Sequence, residues 1–125
     1  MIRFFEEVTI DDVRQQGWYV GSPYSKFPKG LHIAHAEVSR ATAELIREGI
    51  INVYSPIVDS HCLAMIGGLD PMDHAAWMKR NFWEMSRRDG LIIVMMEGWK
   101  DSVGLRMEAE TFKKQGKPIL HMVWP

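Results

Sequence analysis

The chain has 125 residues, 46% hydrophobic and 25% charged, which suits one globular domain spanning residues 1–125 and excludes a disordered tail or a collagen-like chain. Fifteen Lys and Arg against sixteen Asp and Glu leave a net charge of −1, so no global field draws nucleic acid. The single cysteine, Cys62, cannot form an internal disulfide, no apolar run nears the roughly 20 residues that cross a bilayer, and no charged-then-apolar leader opens the chain, so a cytoplasmic protein without a membrane partner is expected.

Met1 to Gln16 shows no pattern beyond a short helix after Thr9. Gly17 to Ser22 is an apolar strand that Pro23, lacking an N–H, brings to a stop, and a loop, Tyr24 to Lys29, follows. Leu31, Ala34, Val38, Ala41 and Leu45 fall on one helical stripe, closed by Gly49. Ile50 to Ile57, rich in β-branched residues, predicts a second strand ending at Pro56, and Val58 to Leu69, with Gly67 and Gly68, predicts a loop. Asp70-Pro71 predicts the start of a helix that runs to about Arg88, with a stripe of Ala75, Met78, Phe82 and Met85 and with Asn81 beside it. Leu91 to Met96 carries no polar alternation and predicts a central strand covered on both faces. Ser102 caps a last helix through Gln115, Gly116 closes it, and Pro118 to Trp124 is a fourth strand.

Strands alternating with helices predict an α/β fold of the doubly wound, flavodoxin- or Rossmann-like kind, three layers deep. Its mostly parallel sheet takes strand order 2-1-3-4. Ligands of such sheets bind where the strands end at their C-termini, here Ser22-Pro23-Tyr24, Ser55 to His61 and Glu97 to Ser102. At that end the last helix places Glu108 on the flank of its stripe of Leu105, Ala109 and Phe112, while Glu110 points the other way. Glu108 is either a carboxylate facing a ligand or a surface residue that favours the positive end of the helix. Asn81, similarly beside a stripe, either bonds a ligand or satisfies a neighbouring backbone group. Trp99 stands at the crevice, where an indole can stack on a base.

The run Gly98 to Glu108 followed by Gly116-Lys117-Pro118 resembles the active-site signature of the nucleoside 2-deoxyribosyltransferase superfamily. In that pattern a Ser or Asp stands six residues before a nucleophilic Glu, a Gly stands four before it, and Gly-Lys-Pro begins eight after; Ser102, Gly104, Glu108 and Gly116 fit each interval. Tyr19 to Tyr24 resembles the family's first strand and loop, in which the tyrosine and small residues line the sugar pocket, which implies that role for Tyr19, Gly21, Ser22, Pro23 and Tyr24. Gly98-Trp99, Ser55-Pro56-Ile57 and Ser60-His61 are similar to an uncharacterised, DUF1937-like bacterial and phage branch, related to the 2′-deoxynucleoside 5′-phosphate N-hydrolases.

The resemblance implies a hydrolase or transferase acting on the N-glycosidic bond of a (deoxy)nucleoside or (deoxy)nucleotide, without cofactor or metal, in a homo-oligomer. Breaking that bond builds oxocarbenium-like charge at C1′, which an ionised carboxylate beneath the ring stabilises and can trap as an ester. Glu108 would be this nucleophile, Tyr19 its orienting partner, and Ser102 with Gly104 a seat for a phosphate, near Lys26 and Lys29. With an ordinary glutamate pKa near 4.3, Glu108 would be fully ionised at neutral pH. Eight residues before Asp89, where the family carries an acid, this chain has Asn81, which cannot give a proton; His61 is a substitute donor. The alternative is therefore a catalytically weak nucleotide-binding or sensing module of the same fold. A phospho-acceptor receiver domain would need an Asp after the third strand, where Glu97 stands. His32 and His35 lack an evident third zinc ligand, and the adjacent Asp59, Ser60 and His61 cannot form a catalytic triad.

Overall fold

Successive strand residues point to opposite faces of a sheet, and here the two sets are sorted into two apolar clusters. The computed structural model describes residues 2–125. Its elements are α1 (Ile10–Arg14), β1 (Trp18–Gly21), α2 (Leu31–Arg47), β2 (Val53–Tyr54), α3 (Pro56–Met65), α4 (His74–Ser86), β3 (Gly90–Val94), α5 (Val103–Lys114) and β4 (Ile119–Met122), with a 3₁₀ turn at Trp99–Asp101. The four strands form a parallel sheet of order β2-β1-β3-β4, with Trp18 beside Gly90 and Leu91 beside Ile119. Trp18, Val20, Ile92, Val94, Leu120 and Met122 face α2, through Ala34, Val38, Ala41 and Leu45, and also Val13 of α1. Tyr19, Leu91 and Ile93 face the other way, onto Met85 of α4 and Leu105 and Phe112 of α5. These are the three layers and the strand order predicted.

Local chemistry explains where the elements depart from the predicted bounds. Val58 to Leu69 is not mainly loop: Ser55 Oγ accepts the Val58 N–H at 3.2 Å and Pro56 occupies the first turn, so α3 runs through most of it and β2 shrinks to two residues. The β-branched run around Ile50 hid this cap. Asp70 does not start α4. Its carboxylate takes the Met72 N–H at 2.9 Å in an Asx turn, and the helix begins at His74, capped by Asp73 through the Ala76 N–H at 3.3 Å. The short helix after Thr9 is present as α1. The residues before it, unassigned from sequence, lie along β4: Phe4 pairs antiparallel with Met122, and the Glu6 carboxylate accepts the His121 backbone N–H at 2.6 Å. The β4 edge of the sheet is thereby covered. No helix among the described residues is long and apolar enough to cross a membrane.

Candidate active site

α5 carries its apolar stripe towards β1, and the period of 3.6 residues puts Glu108 within that stripe, between Leu105 and Phe112, not on its flank. Glu108 is only 5% exposed, so it is not a surface glutamate. Its partner comes from the centre of the sheet: Tyr19, wholly buried, donates its hydroxyl to Glu108 Oε2 at 2.5 Å. The other oxygen, Oε1, lies over Gly21, where a Cβ would come within 3.3 Å of it and within 2.6 Å of Leu105 Cδ1. Glycine at the end of β1 is thus what allows the carboxylate to approach the strand.

Burial raises the Glu108 pKa to about 7, with the Tyr19 hydrogen bond acting in the opposite direction. The full ionisation expected at neutral pH is therefore corrected: the carboxyl is about half protonated there. Tyr19 is held well above its ordinary value, first by burial and then by the Glu108 charge, so it stays a neutral donor.

An open cleft lies in front of Glu108 at the C-terminal end of the sheet. Ser22, Tyr24, Asn81, Ser102 and Gly104, all predicted, line it with Glu108. Ser102 caps α5 through the Leu105 N–H at 3.2 Å, and a Cβ at Gly104 would meet only open space. Ser22 Oγ and Asn81 Oδ1 are buried and have no hydrogen-bond partner. Two orphaned polar atoms on residues that line the same cleft as a buried carboxylate are an arrangement that a polar ligand would satisfy.

Asn81 occupies the core stripe of α4 with Met78 and Met85, whereas Ala75 and Phe82, predicted for that stripe, face solvent. The helix is rotated so that its amide, not its phenyl ring, looks inward. Pro23 is buried behind the cleft, and Gly21 sits beneath Glu108. Trp99 is not a lining residue; it packs edge-on against His121 at 5.5 Å. The cleft has its indole from Trp77, which with His74 was not singled out from sequence; Ser60, noted there only in the Ser60-His61 match and the rejected triad, also lines it. The i, i+4 step from Trp77 to Asn81 was the available signal. Lys26 and Lys29 do not line the cleft, and neither does any other Lys or Arg. Gly98, in the left-handed region at φ +85°, lets the Lys26 carbonyl approach to 2.7 Å from where a Cβ would stand, which draws the loops after β1 and β3 together.

His61 is buried and does not itself line the cleft. It meets Tyr24, whose hydroxyl is 2.7 Å from Nδ1, and it also meets His32 and His35, which therefore do have a third histidine beside them. The rings stack or meet edge-on, and no group of three His, Cys, Asp or Glu among the described residues is disposed to hold a metal ion. A family model described as a domain of unknown function (DUF1937) matches residues 16–124. The search of curated proteins returns no match.

Proposed function

The chain belongs to the DUF1937 family, and for its site we propose cleavage of the N-glycosidic bond of a (deoxy)nucleoside or (deoxy)nucleotide, with Glu108 as nucleophile. The observation that carries this reading is the Tyr19–Glu108 pair at 2.5 Å, with Glu108 lining an open cleft. Tyr19 fixes Oε2 and leaves Oε1 directed at the anomeric carbon, so that attack forms a glycosyl ester as the base departs. Water then opens the ester in a hydrolase, or a second base in a transferase, with retention in either case. Ser22 and Asn81 supply hydrogen bonds to sugar and base, and Trp77 a stacking face. Because the lining has no Lys or Arg, a 5′-phosphate would rely on Ser102 and the N–H groups at the start of α5. The test is incubation with deoxynucleosides and deoxynucleoside monophosphates, with chromatography of the free base; no release from any of them rejects the reading.

Two variants probe the wall of the cleft. Gly21→Ala keeps the fold but displaces Leu105 and Glu108, and base release is expected to fall at least about tenfold, with a loss of roughly 1 kcal/mol in stability by urea titration. Asn81→Leu removes a buried oxygen that lacks a partner, which in the empty protein costs about 1–3 kcal/mol. This variant is expected to melt at a higher temperature than wild type while binding nucleoside at least about tenfold more weakly. The amide at position 81 also favours a second reading, a nucleotide-binding or sensing module. That reading is supported if nucleosides raise the melting temperature without any turnover.

A further inference from the structure

A departing nucleobase needs a proton, and Asn81 has none to give as an acid. The Tyr24 hydroxyl lies 2.7 Å from His61 Nδ1, and His61 Nε2 lies 3.2 Å from His32 Nδ1. The three groups come from the loop after β1, from α3 and from α2. Tyr24 is half-buried and lines the cleft, His61 is 6% exposed and His32 is open to solvent. Both His61 nitrogens and His32 Nδ1 face the next polar atom, so the series runs unbroken from a cleft residue to an exposed one. His35 stacks on His61 at 4.2 Å and holds its plane without a place in the line. Asp59, two residues before His61, is engaged with Arg80 at 2.5 Å and does not neutralise the histidines.

Resting on the glycosidic reading above, we propose that Tyr24, His61 and His32 form a proton relay that serves the departing base. As the bond from C1′ to the base breaks, its electron pair stays on the base nitrogen, which takes the Tyr24 hydroxyl proton. Tyr24 oxygen takes the proton from His61 Nδ1, His61 Nε2 takes that of His32 Nδ1, and His32 regains one from water. The net change is one proton from solvent to base. Tyr24 is the group that touches substrate, while His61 and His32 act through it. Burial, with His35 and His32 alongside, holds the His61 pKa below its ordinary value, so His61 passes a proton on without storing the charge. Burial also keeps Tyr24 protonated.

The test compares two substrates with the full chain: a purine deoxynucleoside, whose base needs protonation, and 4-nitrophenyl 2-deoxyribofuranoside, whose phenolate leaves without it. Tyr24→Phe and His61→Gln are each expected to lower the ratio of purine to nitrophenyl kcat about 10²-fold, with the purine KM moved far less. His32→Ala is expected to lower it about tenfold and to recover on addition of imidazole, which a merely structural role would not permit. Equal losses on both substrates, or no loss on either, overturn the relay while leaving Glu108 as nucleophile. Wild-type protein that releases base from no deoxynucleoside and no deoxynucleoside monophosphate overturns the glycosidic reading, and the relay with it.

Discussion

Replacement of Glu108 by Ala is expected to lower base release at least about 10³-fold, equivalent to roughly 4 kcal/mol of barrier, because no other carboxylate lines the cleft to stabilise the charge at C1′. Ala also leaves the Tyr19 hydroxyl buried without its acceptor and opens a void beside Leu105 and Phe112. Glu108→Gln separates chemistry from folding, since the amide oxygen can still accept from Tyr19 while the group no longer forms an ester. Both variants should be equally inactive. In wild type the same group sets an acid limb: with its pKa raised to about 7, release should climb as pH passes from 6 to 8. A Gln variant that retains wild-type rates would remove Glu108 from the mechanism.

How much of this was legible beforehand follows from distance along the chain. The α/β class and the strand order rest on local signals, such as the unbroken apolar run at Leu91 and the Ser102 cap, and the structure has both. Spacing within one helix singled out Glu108 as well. Its partner could not be derived from spacing, because Tyr19 lies 89 residues away and only the register of the sheet brings it opposite α5; family resemblance alone suggested it. His61 and His32 are separated by 29 residues and meet because Ser55-Pro56 begins a helix where β-branched residues had argued for a strand. The inward turn of Asn81 in place of Phe82 ran against hydrophobic patterning for a related reason. A pattern assigns apolar groups to the core, while a ligand cleft keeps polar ones there and leaves them unpaired.

Glu108→Gln is also expected to stabilise the protein increasingly as pH rises from about 4.5 to 7, whether or not any substrate is present. In the fold the carboxyl holds its proton up to about pH 7, whereas in the unfolded chain it releases it near 4.5. Between those values the folded chain binds one proton more than the unfolded one, so stability falls as pH rises. The contribution is complete below about pH 4.5 and lost by the time pH has passed 7, a span worth about 3 kcal/mol. Gln bears no charge and avoids that loss. Urea titrations should therefore find the variant close to wild type at pH 5 and about 3 kcal/mol more stable at pH 8. Reading the difference between variant and wild type at each pH cancels the titration of distant groups, which the substitution does not touch. An offset that does not change with pH would mean that Glu108 ionises as freely as a solvated glutamate, and the buried, Tyr19-held carboxylate would then have no reserve of strain to bring to an anomeric carbon.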